Sequence, residues 1–386
     1  MAETTLRKTA GERRRTKLWE SNFGVEPPFA LGVEEELLLV GRENELADRG
    51  AHALRAADPE EGELDGELFK AMIESRSEVS TNTAEAVAAL GEVRGELLAS
   101  GSRIMGAGVH PTARSGESAV RSTPRYESIE ETLQGVLRTP ICGQHIHIGL
   151  PDAETAVRTY NGIRSHVPLL NALAANSPFW FGRDSGLASA RTVIFRSYPR
   201  AAMAPEFADY DEFCRVTRQV VEAGGLDDYT QIWWDVRIHP GLGTIEVRAA
   251  DTQFDLRRTA ALTALVHCLA RTEAERDQSR LPAREALAES SFQGTRHGLE
   301  ADLLGRGCEV VPARELAKEC LDGAAEAADE LDCAKELAHV DEMISQGTGA
   351  DIQRRVHAEA GMEGLLEFLV EETGRPLALG DQPAAT

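Results

Sequence analysis

Lysine is scarce in this sequence, and its distribution excludes two kinds of chemistry. The five lysines are Lys8, Lys17, Lys70, Lys318 and Lys335, so none lies between residues 70 and 318. No glycine precedes a lysine, so the chain has no P-loop, whose lysine reaches the phosphates of a nucleotide. A lysine Schiff base in the central chain is disfavoured for the same reason. If this protein handles phosphate, arginines and metal ions must do so.

The sequence also lacks the marks of secretion, membrane insertion and two hydrolase classes. No apolar stretch approaches the roughly 18 to 20 residues of a membrane span, and the N-terminus has no apolar signal-peptide core. The six cysteines are scattered without a CxxC pair, which predicts reduced thiols in the cytoplasm rather than a disulfide framework or a zinc knuckle. HExxH and GxSxG are absent, which disfavours a zinc hydrolase and a serine hydrolase.

The charge balance and length limit the partners and the number of domains. Asp and Glu number 64 against 41 Lys and Arg, for a net charge of -23. Nucleic acid is therefore not an expected partner, because a phosphate backbone needs a basic surface. No linker rich in Pro, Gly or Ser divides the 386 residues. We expect a basic flexible leader over residues 1–24, one domain over 25–375 and a flexible tail over 376–386.

Hydrophobic periodicity predicts strands in the first two thirds of the chain, with helices between and after them. The predicted strands are 31–40, 141–150, 231–240 and 243–251, the last two as a hairpin. The predicted helices are 84–105, 152–176, 208–223 and most of the chain from 256 onward, with breaks near Pro282, Pro312 and Gly347. Residues 64–80 fit a helix or a strand. This pattern predicts the α+β class, a mostly antiparallel sheet with one polar face, backed and followed by helices.

The first predicted strand, LGVEEELLLV, contains three adjacent carboxylates in an apolar run. Side chains alternate along a strand, so Glu34 and Glu36 share one face and Glu35 takes the other. Like charges at this spacing repel each other and lose solvation, unless a cation faces both. An edge strand whose acidic face lies in water explains this stretch equally well, so the other strands must decide.

Three further segments repeat this arrangement of one apolar and one polar face. The residues that share a polar face are His145 with His147, Glu246 with Arg248, and Trp233 with Asp235 and Arg237. A single histidine of this kind is more often structural, and Glu246 with Arg248 also fits a cross-strand ion pair. Four such segments in one chain favour a sheet whose second face is a polar cavity that holds ions.

This set of side chains suits hard metal ions and phosphate. Carboxylates with one imidazole are ligands for magnesium or manganese, which prefer oxygen donors and often bridge substrate phosphates. Arginines hold phosphate oxygens or a carboxylate in a fork geometry. The polar face therefore predicts a metal site next to an anion site.

Taken in order, the motifs of this chain resemble a known enzyme family. The motifs are GVEEE, Met72 to Glu74, GQHIHIG, SPFWFGRDSGLASAR, WWDVR and GTIEVRAAD, and the similarity covers roughly residues 28 to 372. They resemble the glutamate–cysteine ligase type 2 family of carboxylate–amine ligases, whose fold is related to that of glutamine synthetase. The resemblance implies that ATP phosphorylates the γ-carboxylate of glutamate, and that an amine such as cysteine displaces the phosphate to form an amide.

The resemblance also implies roles for single residues. It assigns six residues to magnesium or manganese ions: Glu34, Glu36, Glu67, Glu74, His145 and Glu246. The candidate catalytic residues are Arg248, Arg237, Arg191 and His147, and the candidate nucleotide-binding residues are Arg248, Arg237 and Trp234. Glu67 precedes Glu74 by seven residues, which places both on one face if the segment is a helix. Glu35 is expected to be structural, and its replacement by glutamine should change turnover only mildly because its side chain faces away from the site.

Two departures from the family pattern leave the amine open. Residues 77–86 lack an expected Val-Cys, and Phe292 stands where a tryptophan is expected. Two other functions also stay open: a metal-dependent amide hydrolase, in which bound water attacks, and a non-catalytic member that binds a nucleotide or metabolite. The expected partners are small molecules, namely ATP, glutamate and an amine, without nucleic acid or membrane. A homodimer is left open.

Overall fold

A seven-stranded sheet crosses the middle of the protein, whose computed structural model describes residues 21–377. The strands are β1 (Leu31–Leu39), β2 (Glu63–Gly66), β3 (Met72–Arg76), β4 (Ile104–Met105), β5 (Gly143–Gly149), β6 (Phe179–Trp180), β7 (Arg183–Asp184), β8 (Val236–His239), β9 (Thr244–Asp251), β10 (Asp302–Leu304) and β11 (Val310–Pro312). The central order is β2-β3-β1-β5-β9-β8, with β4 on the end of β1, and every neighbouring pair is antiparallel. β6 with β7 and β10 with β11 form two small sheets.

Helices lie between these strands and occupy most of the chain after β9. They are α1 (Gly50–Ala56), α2 (Thr83–Ala99), α3 (Pro124–Leu133), α4 (Ala153–Arg164), α5 (Val167–Leu173), α6 (Ala190–Arg196), α7 (Tyr210–Gly224), α8 (Leu256–Glu273), α9 (Arg284–His297), α10 (Ala313–Glu330), α11 (Ala334–Gln346) and α12 (Gly349–Thr373). Short 3-10 turns cover Gln134–Val136, Tyr229–Gln231 and Gly298–Glu300. Within residues 21–377, none of these helices is both long and apolar enough to cross a membrane.

The apolar face of the central sheet packs against helices. Leu31 and Val33 of β1 and Ile146 of β5 are about 1% exposed and belong to the main core. α8 is buried on nearly all sides, because α2, α4, α10 and α11 surround it. A helix that is apolar all round belongs in a core. Burial of an aliphatic side chain such as Leu31, Val33 or Ile146 stabilises the fold by roughly 1.5–3 kcal/mol. The predicted α+β architecture is confirmed.

The third carboxylate of the glutamate run is explained on this apolar side. Glu35 is fully buried, and its two oxygens accept hydrogen bonds from Nε of Arg94 at 2.8 Å and from Nη2 at 2.6 Å. The same guanidinium donates to the carbonyls of Gln253 and Phe254, so it ties β1 and α2 to the start of α8. Removing one partner of a buried pair leaves the other charge uncompensated. The mild effect of Glu35→Gln on turnover stays a prediction, but the buried pair with Arg94 gives Glu35 a structural role in stability.

We expect Glu35→Gln to lower the free energy of unfolding by about 3–5 kcal/mol, because the Arg94 guanidinium would stay buried without a counter-charge. Urea unfolding measures this loss. Glu300→Gln is the matched control, because Glu300 is 73% exposed in its pair with Arg314, and an exposed pair contributes about 0–1 kcal/mol. Equal unfolding midpoints for the two variants would contradict the role given to Glu35.

Residues 64–80, which fit a helix or a strand by pattern, contain β2 and β3, and Glu67 lies in the connection between these strands. Two predicted helices differ from the structure for identifiable reasons. The helix predicted over 84–105 ends at Ala99, because Gly101 takes a positive φ of 82° and Ile104 then pairs with β1. The helix predicted over 152–176 is broken after Arg164. Pro168 has no N–H to donate, and its ring would clash with the Arg164 carbonyl in a continuous helix.

The predicted leader and tail fall mostly outside the described residues. Residues 1–20 and 378–386 are not described, so no structural statement is made about them. Asn22 donates its backbone N–H to the Pro240 carbonyl at 3.0 Å, and Gly24 donates to Leu150 at 2.9 Å. These bonds attach the last residues of the predicted leader to the β8–β9 hairpin and to the end of β5. The domain limits of 25 and 375 remain a prediction.

Candidate active site

The polar face of the sheet collects charged residues from five adjacent strands. The residues that lie directly opposite each other are Glu36 and Glu74, Glu34 and His145, His147 and Glu246, and Arg237 and Glu246. Directly opposed residues in an antiparallel pair project to the same side, so these side chains form one continuous charged surface. The shared faces predicted by strand alternation are confirmed for Glu34 with Glu36 and for His145 with His147, and Glu74 joins them through its pairing with Glu36.

A cavity of about 240 Å³ lies over this surface. The sequence-predicted residues that line it are Glu34, Glu36, Glu67, Glu74, His145, His147, Arg191, Arg237, Glu246 and Arg248. Glu67 reaches the cavity from the β2–β3 connection, so the shared helical face predicted for Glu67 and Glu74 is wrong, although both line the same space. Apolar side chains from α3 and α6 close one wall, among them Ile129, Leu133 and Phe195.

Glu246 is held between two arginines on the floor of the cavity. Its Oε2 accepts from Nη2 of Arg237 at 2.5 Å, and its Oε1 accepts from Nη1 of Arg248. Burial alone would raise the pKa of the Glu246 carboxyl, but Arg237 and then Arg248 hold it well below its usual range. The carboxylate is therefore ionised, and it fixes the orientation of both guanidinium groups.

Glu34 lies between the two histidines of β5. Its carboxylate is 3.3 Å from Nδ1 of His145 and 3.5 Å from Nε2 of His147. Burial opposes ionisation of Glu34, but the two histidines outweigh it and hold the pKa well below its usual range. Burial, then Arg248, lowers the pKa of His145 to about 4, so this imidazole is neutral. Burial acts the same way on His147, but Glu34 and Glu246 outweigh it and raise its pKa.

The carboxylates at the other end of the cavity carry more negative charge than their surroundings balance. Burial, reinforced by Glu74, raises the pKa of Glu36 to about 7 despite Arg191 and a 2.6 Å hydrogen bond from the Gly143 N–H. Burial and Glu36 raise the pKa of Glu67 to about 7. Burial, then Glu34 and Glu67, raises that of Glu74 to about 8. Raised values of this kind mark a site that a cation would stabilise.

The donor set fits a divalent cation. Ligand atoms of Glu34, His147 and Glu246 lie within 4.8 Å of one another. The Nε2 atoms of His145 and His147 are buried and have no hydrogen-bond partner among the described residues. Carboxylate oxygens with one imidazole suit magnesium or manganese better than zinc. By geometry His147 is the histidine of this ligand group, whereas the metal role that the resemblance implies for His145 remains a prediction.

Arg191 enters the cavity from α6, which is anchored to the end of β9. Ser189, the N-cap of α6, donates to the Asp251 carboxylate at 2.8 Å, and Arg191 lies 3.9 Å from the same carboxylate. Gly143 makes room for this arginine, because a Cβ there would lie 2.1 Å from its Nη2 atom. The Nε atoms of Arg191 and Arg248 are buried without a hydrogen-bond partner in the part of the chain that the structure describes. They are therefore free donors beside the cavity.

The assignment of Trp234 to the nucleotide is contradicted by its position. Trp234 is 7% exposed and belongs to the main core, with its ring 5.9 Å from that of Phe207. It shares the apolar side with Val236, while Trp233 lies on the other side and lines the cavity. The Arg200 guanidinium lies 5.2 Å from the Trp233 ring. Strand alternation already grouped Trp233 with the polar face and pointed to the correct tryptophan.

Five polar residues of the cavity were not predicted: Arg125, Tyr126, Tyr198, Thr230 and His239. His239 follows Arg237 by two residues on β8, so alternation would have found it. Burial, then Arg237, lowers its pKa to about 4, and its Nδ1 lies 3.1 Å from the Tyr229 hydroxyl. Tyr126 lies on α3 and Tyr198 follows α6, where no periodic pattern in the sequence marks either of them.

We expect Glu74→Gln to flatten the pH dependence of stability in the metal-free protein. In the unfolded chain Glu74 ionises near the ordinary 4.5, but in the folded protein near 8. Between these values the unfolded state binds fewer protons, so wild-type stability falls as the pH rises. The measurement is the difference in urea midpoint between wild type and Glu74→Gln from about pH 5 to about pH 8. Mg²⁺ should reduce this difference, since it binds the ionised carboxylates. A difference that is independent of both pH and Mg²⁺ would contradict the cation site.

The fold is shared with enzymes of known structure. Glutamate–cysteine ligase from Francisella tularensis, solved in complex with AMP, is similar with a TM-score of 0.67 at 13% identity, covering 93% of this chain and 91% of that one. A bifunctional glutathione synthetase from Pasteurella multocida has a TM-score of 0.60 at 15% identity, covering 94% of this chain and 52% of that one. The protein therefore has a glutamate–cysteine ligase-like fold.

Sequence comparison identifies the family. Residues 30–372 match glutamate-cysteine ligase family 2 (GCS2). A relative from Rubrobacter xylanophilus, provisionally named glutamate–cysteine ligase 2-3, is 41% identical over 365 residues, covering 92% of this chain and 99% of the relative. The glutamate–cysteine ligase of Haloferax volcanii is 35% identical over 354 residues, covering 88% of this chain and 95% of the relative. The chain belongs to glutamate–cysteine ligase family 2, as its motifs predicted, and is a carboxylate–amine ligase.

Proposed function

We propose that this ligase uses ATP to activate the γ-carboxylate of glutamate as an acyl phosphate and then joins it to an amine. The products are ADP, phosphate and an amide. One observation carries the proposal: unbalanced carboxylates and arginines with free donors line a single cavity on the polar face of the sheet. Metal ions and a polyphosphate would together complete the charge balance of such a cavity.

The carboxylates would hold magnesium or manganese. Glu34, Glu246 and His147 form one group of ligands, and Glu36, Glu67 and Glu74 supply the remaining oxygens. When bound, such ions clamp the triphosphate and offset the charge that develops during phosphoryl transfer. The protein supplies the placement, because cross-strand pairing fixes the spacing of these side chains before any ligand arrives.

The arginines would hold the oxygens of the phosphoryl group and of the substrate carboxylate. Glu246 orients Arg237 and Arg248, which leaves the Nε of Arg248 buried and free to donate. Arg191 offers a second free donor from the opposite wall. Fixed, buried donors stabilise developing negative charge more than mobile water does. Lys70, the lysine nearest in sequence to the proposed metal ligands Glu67 and Glu74, is exposed. The arginines are therefore the cations available in the cavity.

The amine is proposed only as a class, with cysteine as one member. The apolar wall of Ile129, Leu133 and Phe195 and the polar floor are both large enough to contact a second substrate. The amide hydrolase reading is less well supported, because hydrolysis by bound water gives no role to the free arginine donors. A cytoplasmic location fits the six free thiols, all of which lie in the described part of the chain.

A screen of amino acids and amines for ADP formation tests the proposed function. ADP should form with ATP, Mg²⁺ and glutamate only when a suitable amine is present, and an amide should accumulate in equal amount. Each assay is repeated with a chelator, which should stop the reaction. Amide cleavage without ATP would favour the hydrolase. ADP formation without amide would contradict the ligase proposal.

A further inference from the structure

A cysteine, a histidine and a glutamate lie in contact at a second place in the fold. His166 precedes α5, Glu273 ends α8, and Cys320 lies in the middle of α10. Nε2 of His166 is 3.1 Å from Oε1 of Glu273, and Nδ1 of the same ring is 3.8 Å from Sγ of Cys320. None of the three residues lines the candidate active site. An imidazole between a carboxylate and a thiol is the arrangement that activates a cysteine nucleophile.

The carboxylate of this cluster is fixed from several sides. Arg306 donates from Nε to Glu273 at about 3.0 Å, and the amide of Gln278 donates at 3.2 Å. Arg276 lies 3.4 Å from the same carboxylate. Gly162 on α4 gives Glu273 the space it occupies, because a Cβ at residue 162 would lie 2.3 Å from Oε2. These contacts hold the Glu273 carboxylate in a fixed position although the residue is fully buried.

The charges around the cluster keep the imidazole protonated at neutral pH. The charged side chains that contact it are Glu273, Arg276 and Arg306. Burial alone would raise the pKa of Glu273, but His166 and Arg306 lower it to about 2. Burial alone would lower the pKa of His166, but the contacts with Cys320 and Glu273 raise it to about 9. A cationic imidazolium beside a thiol favours the thiolate, which is the nucleophilic form.

We propose that Cys320 is a nucleophilic thiol that takes up low-molecular-weight disulfides as mixed disulfides. The Cys320 thiolate attacks one sulfur of the disulfide, a new S–S bond forms, and the original S–S bond breaks. The leaving thiolate carries away the electron pair and takes a proton from His166 or water. No further oxidant is needed, because the incoming disulfide is itself reduced to one thiol. The geometry that supports this site is independent of the proposed ligase reaction.

The other cysteines provide the comparison. Cys142, Cys268 and Cys333 are buried, whereas Cys308 is exposed in the β10–β11 connection. Cys320 and Cys214 are partly buried, so of the six cysteines only Cys308 is fully exposed, and the reaction itself measures whether a small disulfide reaches the Cys320 sulfur. Cys308 is therefore an internal standard for an accessible thiol, since no imidazole contacts it in the described structure. Both Cys320 and Cys308 meet the same reagent in the same solution. A difference between their pH profiles therefore reports the imidazolium that contacts Cys320.

The test is the pH profile of the reaction of each cysteine with dithiodipyridine, a neutral disulfide, in the full-length protein. Peptide mass spectrometry assigns the adducts to individual residues. The Cys308 rate should rise about a hundredfold between about pH 6 and pH 8.5, because only the thiolate attacks a disulfide and no imidazole assists this exposed cysteine. The Cys320 rate should rise less than about tenfold, because the His166 imidazole that contacts its sulfur favours the thiolate over the whole range. Comparing slopes within one residue removes the effect of its accessibility.

A variant of His166 tests whether this histidine causes the pH profile of the Cys320 reaction. His166→Asn should steepen the Cys320 profile to that of Cys308, whereas His339→Asn, a control on the exposed surface of α11, should leave it unchanged. The wild-type profile decides the proposal even if His166→Asn does not fold. A Cys320 rate that rises with pH as steeply as that of Cys308 would overturn it. Absence of any Cys320 adduct after Cys308 has reacted completely would also overturn it.

Discussion

Glu36→Gln is expected to lower turnover by at least about a hundredfold, equivalent to about 2.7 kcal/mol, while the protein stays folded. Glutamine keeps the shape and can accept the 2.6 Å hydrogen bond from Gly143, but it removes a charge that would hold the cation. The pKa of Glu36 is raised to about 7 by burial and by Glu74, so the metal-free protein should lose no stability above that pH. Activity and stability should therefore change independently.

Turnover assays and urea unfolding of the same preparations measure both quantities. Glu300→Gln serves again as the control, because it makes the same substitution on an exposed residue far from the cavity lining. The stabilisation that Mg²⁺ gives to wild type should be much smaller in Glu36→Gln. A variant that retains more than about a tenth of wild-type activity would show that Glu36 does not hold a catalytic cation.

Arg248→Lys is expected to lose most of the rate while the protein still binds ATP. Lysine keeps the positive charge but has no planar fork, so it cannot contact Glu246 and a phosphate oxygen together in fixed geometry. The free Nε donor of Arg248 would also be lost. We expect a decrease of about a hundredfold or more in turnover, comparable to the removal of a preorganised donor in other enzymes.

Thermal shift with ATP and Mg²⁺ shows whether Arg248→Lys still binds the nucleotide. Arg257→Lys is the matched control, because Arg257 is 47% exposed and forms an ion pair with Asp255 away from the cavity lining. That control should retain wild-type activity. If Arg248→Lys keeps its activity, the guanidinium fork is not required. If it loses the thermal shift as well, Arg248 serves binding rather than the chemical step.

Strand alternation predicted most of the site because its residues lie on strands, although the β5–β9 register shifts between Gln144 and Ile146. Glu34 and Glu36 on β1, His145 and His147 on β5, and Glu246 with its cross-strand neighbour all follow a two-residue period. A period of two is fixed by backbone geometry, so it needs no knowledge of distant contacts. The same rule also predicted that Glu35 points away from the cavity.

The rest of the site depends on contacts between distant segments, which a local pattern does not contain. Glu67 reaches the cavity from a strand connection, and Arg191 reaches it because Gly143 leaves space. The motif containing Arg191 was identified through family resemblance and not through periodicity. The buried partner of Glu35, Arg94, could not be predicted because it lies 59 residues away in sequence. Sequence periodicity fixes which face a side chain takes, but not what lies against that face.

Oxygen transfer from glutamate to phosphate is the most direct test of the proposed mechanism. Glutamate labelled with ¹⁸O in its γ-carboxylate is incubated with the enzyme, ATP, Mg²⁺ and the amine found in the screen. If an acyl phosphate forms, the amine displaces phosphate together with one carboxylate oxygen, so labelled phosphate should appear in step with the amide. Amide formation with unlabelled phosphate would contradict the acyl-phosphate mechanism, even if every proposed metal ligand proved correct.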